Sequence, residues 1–154
     1  MKIKNTMKIS LFALIMTFSN ISFSQTNVFD DVIATSPNHT YLEAALLQEG
    51  LDAALRQNPS CTVFAPDDSA FNNLASTLGV TISDLLALPN LSDILVYHVL
   101  NSTVLSTGII NGSVVNPLST TNTLKLTKTS TGDVYVNHSQ VSTADIIADN
   151  GVVH

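Results

Sequence analysis

Four histidines, one cysteine and two adjacent aspartates are the side chains of this sequence most capable of chemistry. His39, His98, His138 and His154 could ligate a metal or move a proton, Cys61 could act as a nucleophile, and Asp67-Asp68 could divide acid and base roles. Spacing argues against each. No two histidines stand at the i, i+3 or i, i+4 separation that sets ligands on one helix face, and structural zinc usually draws on cysteine as well, so neither a metal site nor a cofactor is expected. Paired carboxylates run acid and base chemistry only when their environments split their pKa values, and no second base or acid adjoins Asp67-Asp68. Ser69 lies outside a G-x-S-x-G setting, which leaves a hydrolase elbow unsupported. Cys61 borders an apolar strand and reads as a half-buried, inert thiol rather than an exposed one that pairs between chains.

The elements that must position these groups are readable from residue pattern. In TVFAPDDSAF, residues 62–71, Ala65 precedes a proline and is driven to extended backbone, so Thr62 to Ala65 finishes a strand. Pro66 forces the exit. Asp67 or Asp68 can accept hydrogen bonds from the first amides of the next helix, whose positive end favours carboxylates. Capping alone accounts for both acids, and Phe64 and Phe71 should bury the corner from either side. Ala70, Phe71, Leu74, Ala75 and Leu78 continue at helical spacing up to Gly79. Upstream, Val28 to Asn58 is helical in pattern, with Thr40 and Glu43 as a capping box or Ser36-Pro37 as an earlier start. Downstream, Thr81 with Asp84 three residues on opens one short helix, and Pro89-Asn90 opens another that carries Leu91, Ile94 and Leu95.

After Tyr97 the pattern turns to strands. Val99, Leu100, Val104, Ile109, Val114 and Val115 arrive among Ser, Thr, Gly and Asn. Leu124 to Lys128 and Val134 to Asn137 alternate, with Thr131-Gly132-Asp133 as the hairpin turn between them, and Ile146, Ile147, Val152 and Val153 flank Asn150-Gly151. Helices first and strands second argue for an α+β fold.

The first 24 residues read as a secretory signal peptide: Lys2, Lys4 and Lys8 precede the apolar run Ile9 to Phe18, then small polar residues lead to cleavage near Ser24-Gln25. Its removal leaves Arg56, Lys125 and Lys128 against all twelve acids, a net charge of −9. A phosphate backbone needs clustered Lys and Arg, so nucleic acid and anionic membranes are excluded as partners. One domain over residues 25–154 can bury an adequate core without disulfides.

At this point three segments resemble one family. TVFAPDDSAF is similar to the first motif of the fasciclin (FAS1) domain, usually written close to TVFAPTDxAF. Leu95-Val-Tyr-His-Val-Leu100 resembles its Tyr-His segment, and Ala144-Asp-Ile-Ile-Ala-Asp-Asn-Gly-Val-Val-His154 resembles its second motif. They occur in the family's order and the match runs over nearly all of residues 27–154. Asp67 stands where Thr is common, which preserves capping, and Ser69 where Glu or Gln is frequent.

The resemblance implies N-terminal helices packed on a wedge of short β-sheets, secreted or displayed at the cell surface, with no shared enzymatic activity or single ligand. It implies adhesion to a cell-surface or matrix protein or to polysaccharide. The Tyr-His segment and the Asp-Ile element have been linked to integrin binding in animal members, which carries over here only as Tyr97, His98, Asp145 and Ile146. Thr62, Phe64, Pro66, Asp67, Asp68, Phe71, Asn150, Gly151 and His154 are the structural motif. The expected function is therefore a non-catalytic binding module, with a soluble carrier of a small apolar ligand as the first alternative and a hydrolase as the second. Asn38, Asn90, Asn101, Asn111 and Asn137 each begin an N-x-[ST] sequon and read as solvated loop asparagines. Three residues after Asn150-Gly151 are too few for a usual strand. The expectation is that the domain is cut short in its C-terminal strand, with Val152 and Val153 incompletely paired.

Overall fold

Helices predominate up to Val96, with one short strand among them, and the other strands follow, in a computed structural model that describes residues 25–119 and 122–154. The expected signal peptide lies outside the described residues. A π-helical turn, Val28–Ile33, is capped by the Asn27 side chain, which accepts from the amides of Phe29 and Asp30. It leads to α1, Thr40–Gln48, and α2, Asp52–Gln57. The Thr40-Glu43 capping box does not form, because Thr40 is already helical and its cap arrives from elsewhere in the chain. Ser36-Pro37 does not start the helix either: the Ser36 hydroxyl pairs with His39 Nδ1 at 2.7 Å.

The short strand β1, Cys61–Val63, is followed by α3, Asp68–Leu78, which ends where Gly79 adopts φ 68°. Glycine enters that left-handed region without the penalty a Cβ would bring. The capping box expected of Thr81 and Asp84 is present at the head of α4, Ile82–Leu86, and α5, Leu91–Val96, completes the helical half.

Among the described residues eight strands make two four-stranded sheets. The first has the order β2-β1-β8-β7, with β2 Val99–Leu100, β7 Ile146–Ala148 and β8 Gly151–Val153. β8 runs parallel to β1 and antiparallel to β7. Val152 and Val153 therefore pair on both sides, with Thr62 and Val63 and with Ile147 and Ile146, rather than incompletely. The second sheet is an antiparallel meander, β3 Ser113–Val115, β4 Leu124–Lys128, β5 Val134–Val136 and β6 Ser139–Gln140. Asn137, read as the end of an alternating strand, is instead a turn residue at φ 55°.

Two apolar clusters hold the halves together. Phe29, Leu42, Leu46, Phe71, Leu95 and Val153 belong to the helix-on-sheet core, while Phe64, Leu100, Ile109, Leu124, Leu126 and Val134 fill a second core under the meander. This pair of sheets is the wedge that the family resemblance implies.

Candidate functional site

The two aspartates of the opening motif each cap a different helix. Asp67 Oδ1 accepts from the Ala70 amide at 2.8 Å and from the Ser69 hydroxyl at 2.7 Å, closing the head of α3. Asp68 reaches across 28 residues to α1: Oδ2 accepts from the Thr40 hydroxyl at 2.6 Å and Oδ1 from the Tyr41 amide at 2.9 Å. Hydrogen bonds from Ser69 and Ala70 hold Asp67 below the ordinary carboxylate range. Burial pushes Asp68 upward, but the bonds from Thr40 and Tyr41 outweigh it. Phe64 and Phe71 bury the corner in separate cores, Phe71 edge-on to Tyr41 at 6.0 Å and Phe64 stacked on His154 at 5.6 Å.

Tyr97 and His98 stand between α5 and β2, and their rings meet edge to face at 6.0 Å. His98 Nδ1 donates to Ile94 O at 2.7 Å, back onto the last turn of α5. Nδ1 then carries the proton and Nε2 the lone pair. Burial pushes the His98 pKa down, against the smaller effect of the Ile94 bond. The Tyr97 hydroxyl donates to Thr123 O at 2.9 Å and accepts from Asn137 Nδ2 at 3.2 Å.

Asp145 sits at φ 62°, beside a knot of side chains. Its carboxylate accepts from the Ser106 amide at 2.7 Å and the Ser106 hydroxyl at 2.5 Å, while Lys128 Nζ donates to Ser106 O at 2.8 Å. Burial raises the Asp145 pKa, and the two Ser106 bonds bring it below the usual range. His154 accepts the Asp145 amide at Nδ1, 3.1 Å, and donates from Nε2 to Val104 O, 2.8 Å.

Asn150 is the second fastening. Its Oδ1 accepts from the Val28 amide at 2.9 Å, and Nδ2 donates to Leu55 O at 2.7 Å and Asn58 O at 3.1 Å. Gly151 lies so close to Cys61 that a Cβ there would meet the Cys61 carbonyl at 2.3 Å. Cys61 is fully buried rather than half-buried, and burial pushes its thiol up to about 11.

Between the head of α3 and the edge of the meander lies a cleft of about 570 Å³, lined by Phe64, Tyr97, His98, Gln140, Ile146 and His154 among others. Of the four residues carried over as a binding set, Tyr97, His98 and Ile146 meet here, while Asp145 is engaged by Ser106 behind it. No side-chain nitrogen or oxygen among the described residues is buried without a partner. Among the described residues Nε2 of His98 has no protein partner, and His98 lines the cleft. Sequence reading missed Asn137 and the polar run Ser139 to Thr143 on the far wall. An asparagine between two short strands is the signal that could have exposed the turn, since Asn tolerates left-handed backbone.

The family model for the fasciclin domain matches residues 37–154. The chain belongs to the fasciclin domain family. It is 36% identical over 124 residues to transforming growth factor-beta-induced protein ig-h3 of Sus scrofa, covering 80% of this chain and 18% of that protein. It is 33% identical over 127 residues to Protein sll1483 of Synechocystis, covering 80% of this chain and 67% of the other. Its fold matches the FAS1 domain pair of the insect cell adhesion molecule fasciclin I at a TM-score of 0.68 and 14% identity, over 84% of this chain and 48% of that one. The chain thus spans under one fifth of ig-h3 and about half of the fasciclin I pair.

Membership supports, at a general level, a non-catalytic adhesion-type module. Ser106, Asp145 and His154 superficially suggest a hydrolytic triad. In this fasciclin domain, however, both His154 ring nitrogens are committed to backbone groups, and the Ser106 hydroxyl donates to a carboxylate. A nucleophile needs a base within hydrogen-bond reach, and His154 has no lone pair left for it. Among the described residues no group of three His, Cys, Asp or Glu side chains could hold a metal, and no helix is long and apolar enough to cross a membrane. Three of the sequon asparagines carry structural bonds. Asn101 accepts from Asn58, Asn111 from the Lys128 amide, and Asn137 from the Lys125 amide while donating to Tyr97.

Proposed function

We propose that residues 25–154 form an exported fasciclin domain that binds a matrix or cell-surface partner through the cleft between α3 and the meander. The observation that carries this reading is the meeting of Tyr97, His98 and Ile146, from two separate motifs, in one cleft that also presents the polar side chains of Asn137, Gln140 and Ser142. Ile146 is 38% exposed and contributes apolar area that a partner can cover. Beads coated with the protein should be retained on cells or matrix, and Ile146→Asp should abolish retention while leaving the melting temperature within a few degrees. Retention unchanged by Ile146→Asp would place adhesion on another surface. Export is tested separately: secreted protein should begin at Gln25 or within a few residues, and an intact Met1 in that fraction would contradict it.

A carrier of a small apolar ligand is the second reading. It is favoured by the cleft's size, about 570 Å³, which falls within the roughly 300–1,000 Å³ of small-molecule sites. A large melting shift from one apolar compound, without saturable retention on surfaces, would favour the carrier over adhesion.

A further inference from the structure

We propose that the cleft binds its partner as an extended peptide strand added to the free edge of the meander. This rests on the adhesion reading above and names the kind of partner. Among the described residues β6 is the last strand of its sheet and pairs only with β5, Tyr135 opposite Gln140 and Val136 opposite Ser139. The next bond, Val141 N–H to Val134 O, shows which pairs are hydrogen-bonded. In an antiparallel ladder bonded and non-bonded pairs alternate. Val134 with Val141 is bonded and so is Val136 with Ser139, which makes Tyr135 with Gln140 the non-bonded pair. The Gln140 N–H and C=O therefore point away from β5, outward from the sheet.

Ser139, Gln140, Val141, Ser142 and Thr143 all line the cleft. Among the described residues the amides of Ser142 and Thr143 have no protein partner, and neither do the side chains of Gln140, Ser142 and Thr143. β6 itself spans Ser139–Gln140 and the chain bends at Ser142 and Thr143, so the outward backbone groups are those of Gln140 and the amides just after it. The floor beneath it is apolar, with Phe64, Val136 and Val141 belonging to or packed on the second core. Unpaired backbone beside an apolar floor is what an added strand requires: main-chain bonds give affinity, and alternate side chains enter the pockets. A saccharide would use the polar groups but has no counterpart to donors and acceptors repeating at strand spacing.

Charge selects among peptides. Nine of the twelve acids lie in residues 28–96, against Arg56 alone, and Arg56 is already paired with Asp30 and Asp52. Asp67 of that acidic half lines the cleft. The strand that fits carries apolar residues at alternate positions and Lys or Arg at its ends.

The probe is a degenerate heptapeptide library with Val, Ile or Leu at alternate positions, Ser or Thr between them and Lys at both ends. It is titrated against the purified protein by fluorescence anisotropy. We expect saturable binding. N-methylation of the amides on one edge of the bound peptide should weaken it by about tenfold or more, since each lost hydrogen bond and stranded partner is costly. Gln140→Pro should weaken it similarly with an unchanged melting temperature, because proline is tolerated at an outward-facing edge position. If Gln140→Pro disturbs folding, the N-methylated peptides test the same contact on the unaltered protein. Absence of binding by any library member, or equal binding of the N-methylated forms, overturns the proposal. So does competition by a neutral cello-oligosaccharide alone. Concentration-dependent dimerisation lost in Gln140→Pro, without peptide binding, would assign the edge to a second copy instead. Bead retention separates the two readings: retention without peptide binding leaves adhesion standing and removes the strand, and peptide binding without retention does the reverse.

Discussion

At the scale of single residues, polar side chains here act mainly as fasteners, and Asp67, Asp68 and Asp145 each have an identifiable job. Asp68→Ala should cost about 1 kcal/mol by urea denaturation through loss of the α1 cap, whereas Asp68→Asn, which can still accept a hydrogen bond, should be milder. The same order is expected at Asp67 for α3, and equal losses from Asn and Ala would show that the charge itself matters. His98 carries a pH dependence. Its folded pKa lies below the ordinary 6.5, so the unfolded chain takes up the proton first. Stability is then full above pH 6.5 and declines as pH falls toward the folded value. His98→Gln should flatten the fall in melting temperature as pH drops below 6.5. The capping capacity of Asp67 and Asp68 was legible because their neighbours in sequence announce a helix. That Asp68 serves α1 was not, because its partners Thr40 and Tyr41 are brought to it only by tertiary packing. The same holds for Asp145, whose binding partner Ser106 lies 39 positions away.

Elements follow their sequence signals where those signals are local. The α3 helix has its cap, its apolar stripe and its terminating glycine in one stretch, and the Thr81-Asp84 box needs nothing beyond four residues. β6 was invisible because Ser139-Gln140 has neither apolar alternation nor β-branched residues, and it forms only because a two-residue turn folds it back on β5. The Asn150-Gly151 turn was legible as a turn, but not as a fastener. Gly151→Ala should destabilise the protein by about 3 kcal/mol or more, since the Cβ would meet backbone that cannot retreat. Adding Cys61→Ala should recover little, because the closer clash is with the Cys61 carbonyl and not its sulfur. Asn150→Ala, leaving the Val28 amide without its acceptor, should cost about 2 kcal/mol or more. Chemical denaturation checks all three.

For the whole molecule, carboxylates add to the acid sensitivity that His98 brings: Asp67, Asp68, Asp84 and Asp145 all lie under the ordinary 3.8 when folded. Their contribution is present above about pH 4 and lost as pH falls through the folded values, so thermal melting should keep falling on acidification below about pH 4. The placement of β8 between β1 and β7 has a further consequence, one of time rather than of energy. β1 cannot gain its parallel neighbour until residues 151–153 exist, about 90 positions after Cys61. The meander, whose partners are close in sequence, can form at once. A chain emerging from a ribosome or a translocon would therefore carry a finished meander and a set of helices around an unclosed sheet until Gly151 to Val153 appear. Loop closure of that length is slow relative to hairpin formation. Folding of this domain should be gated by the arrival of one short strand, with β1 exposed as an unpaired edge in the interval.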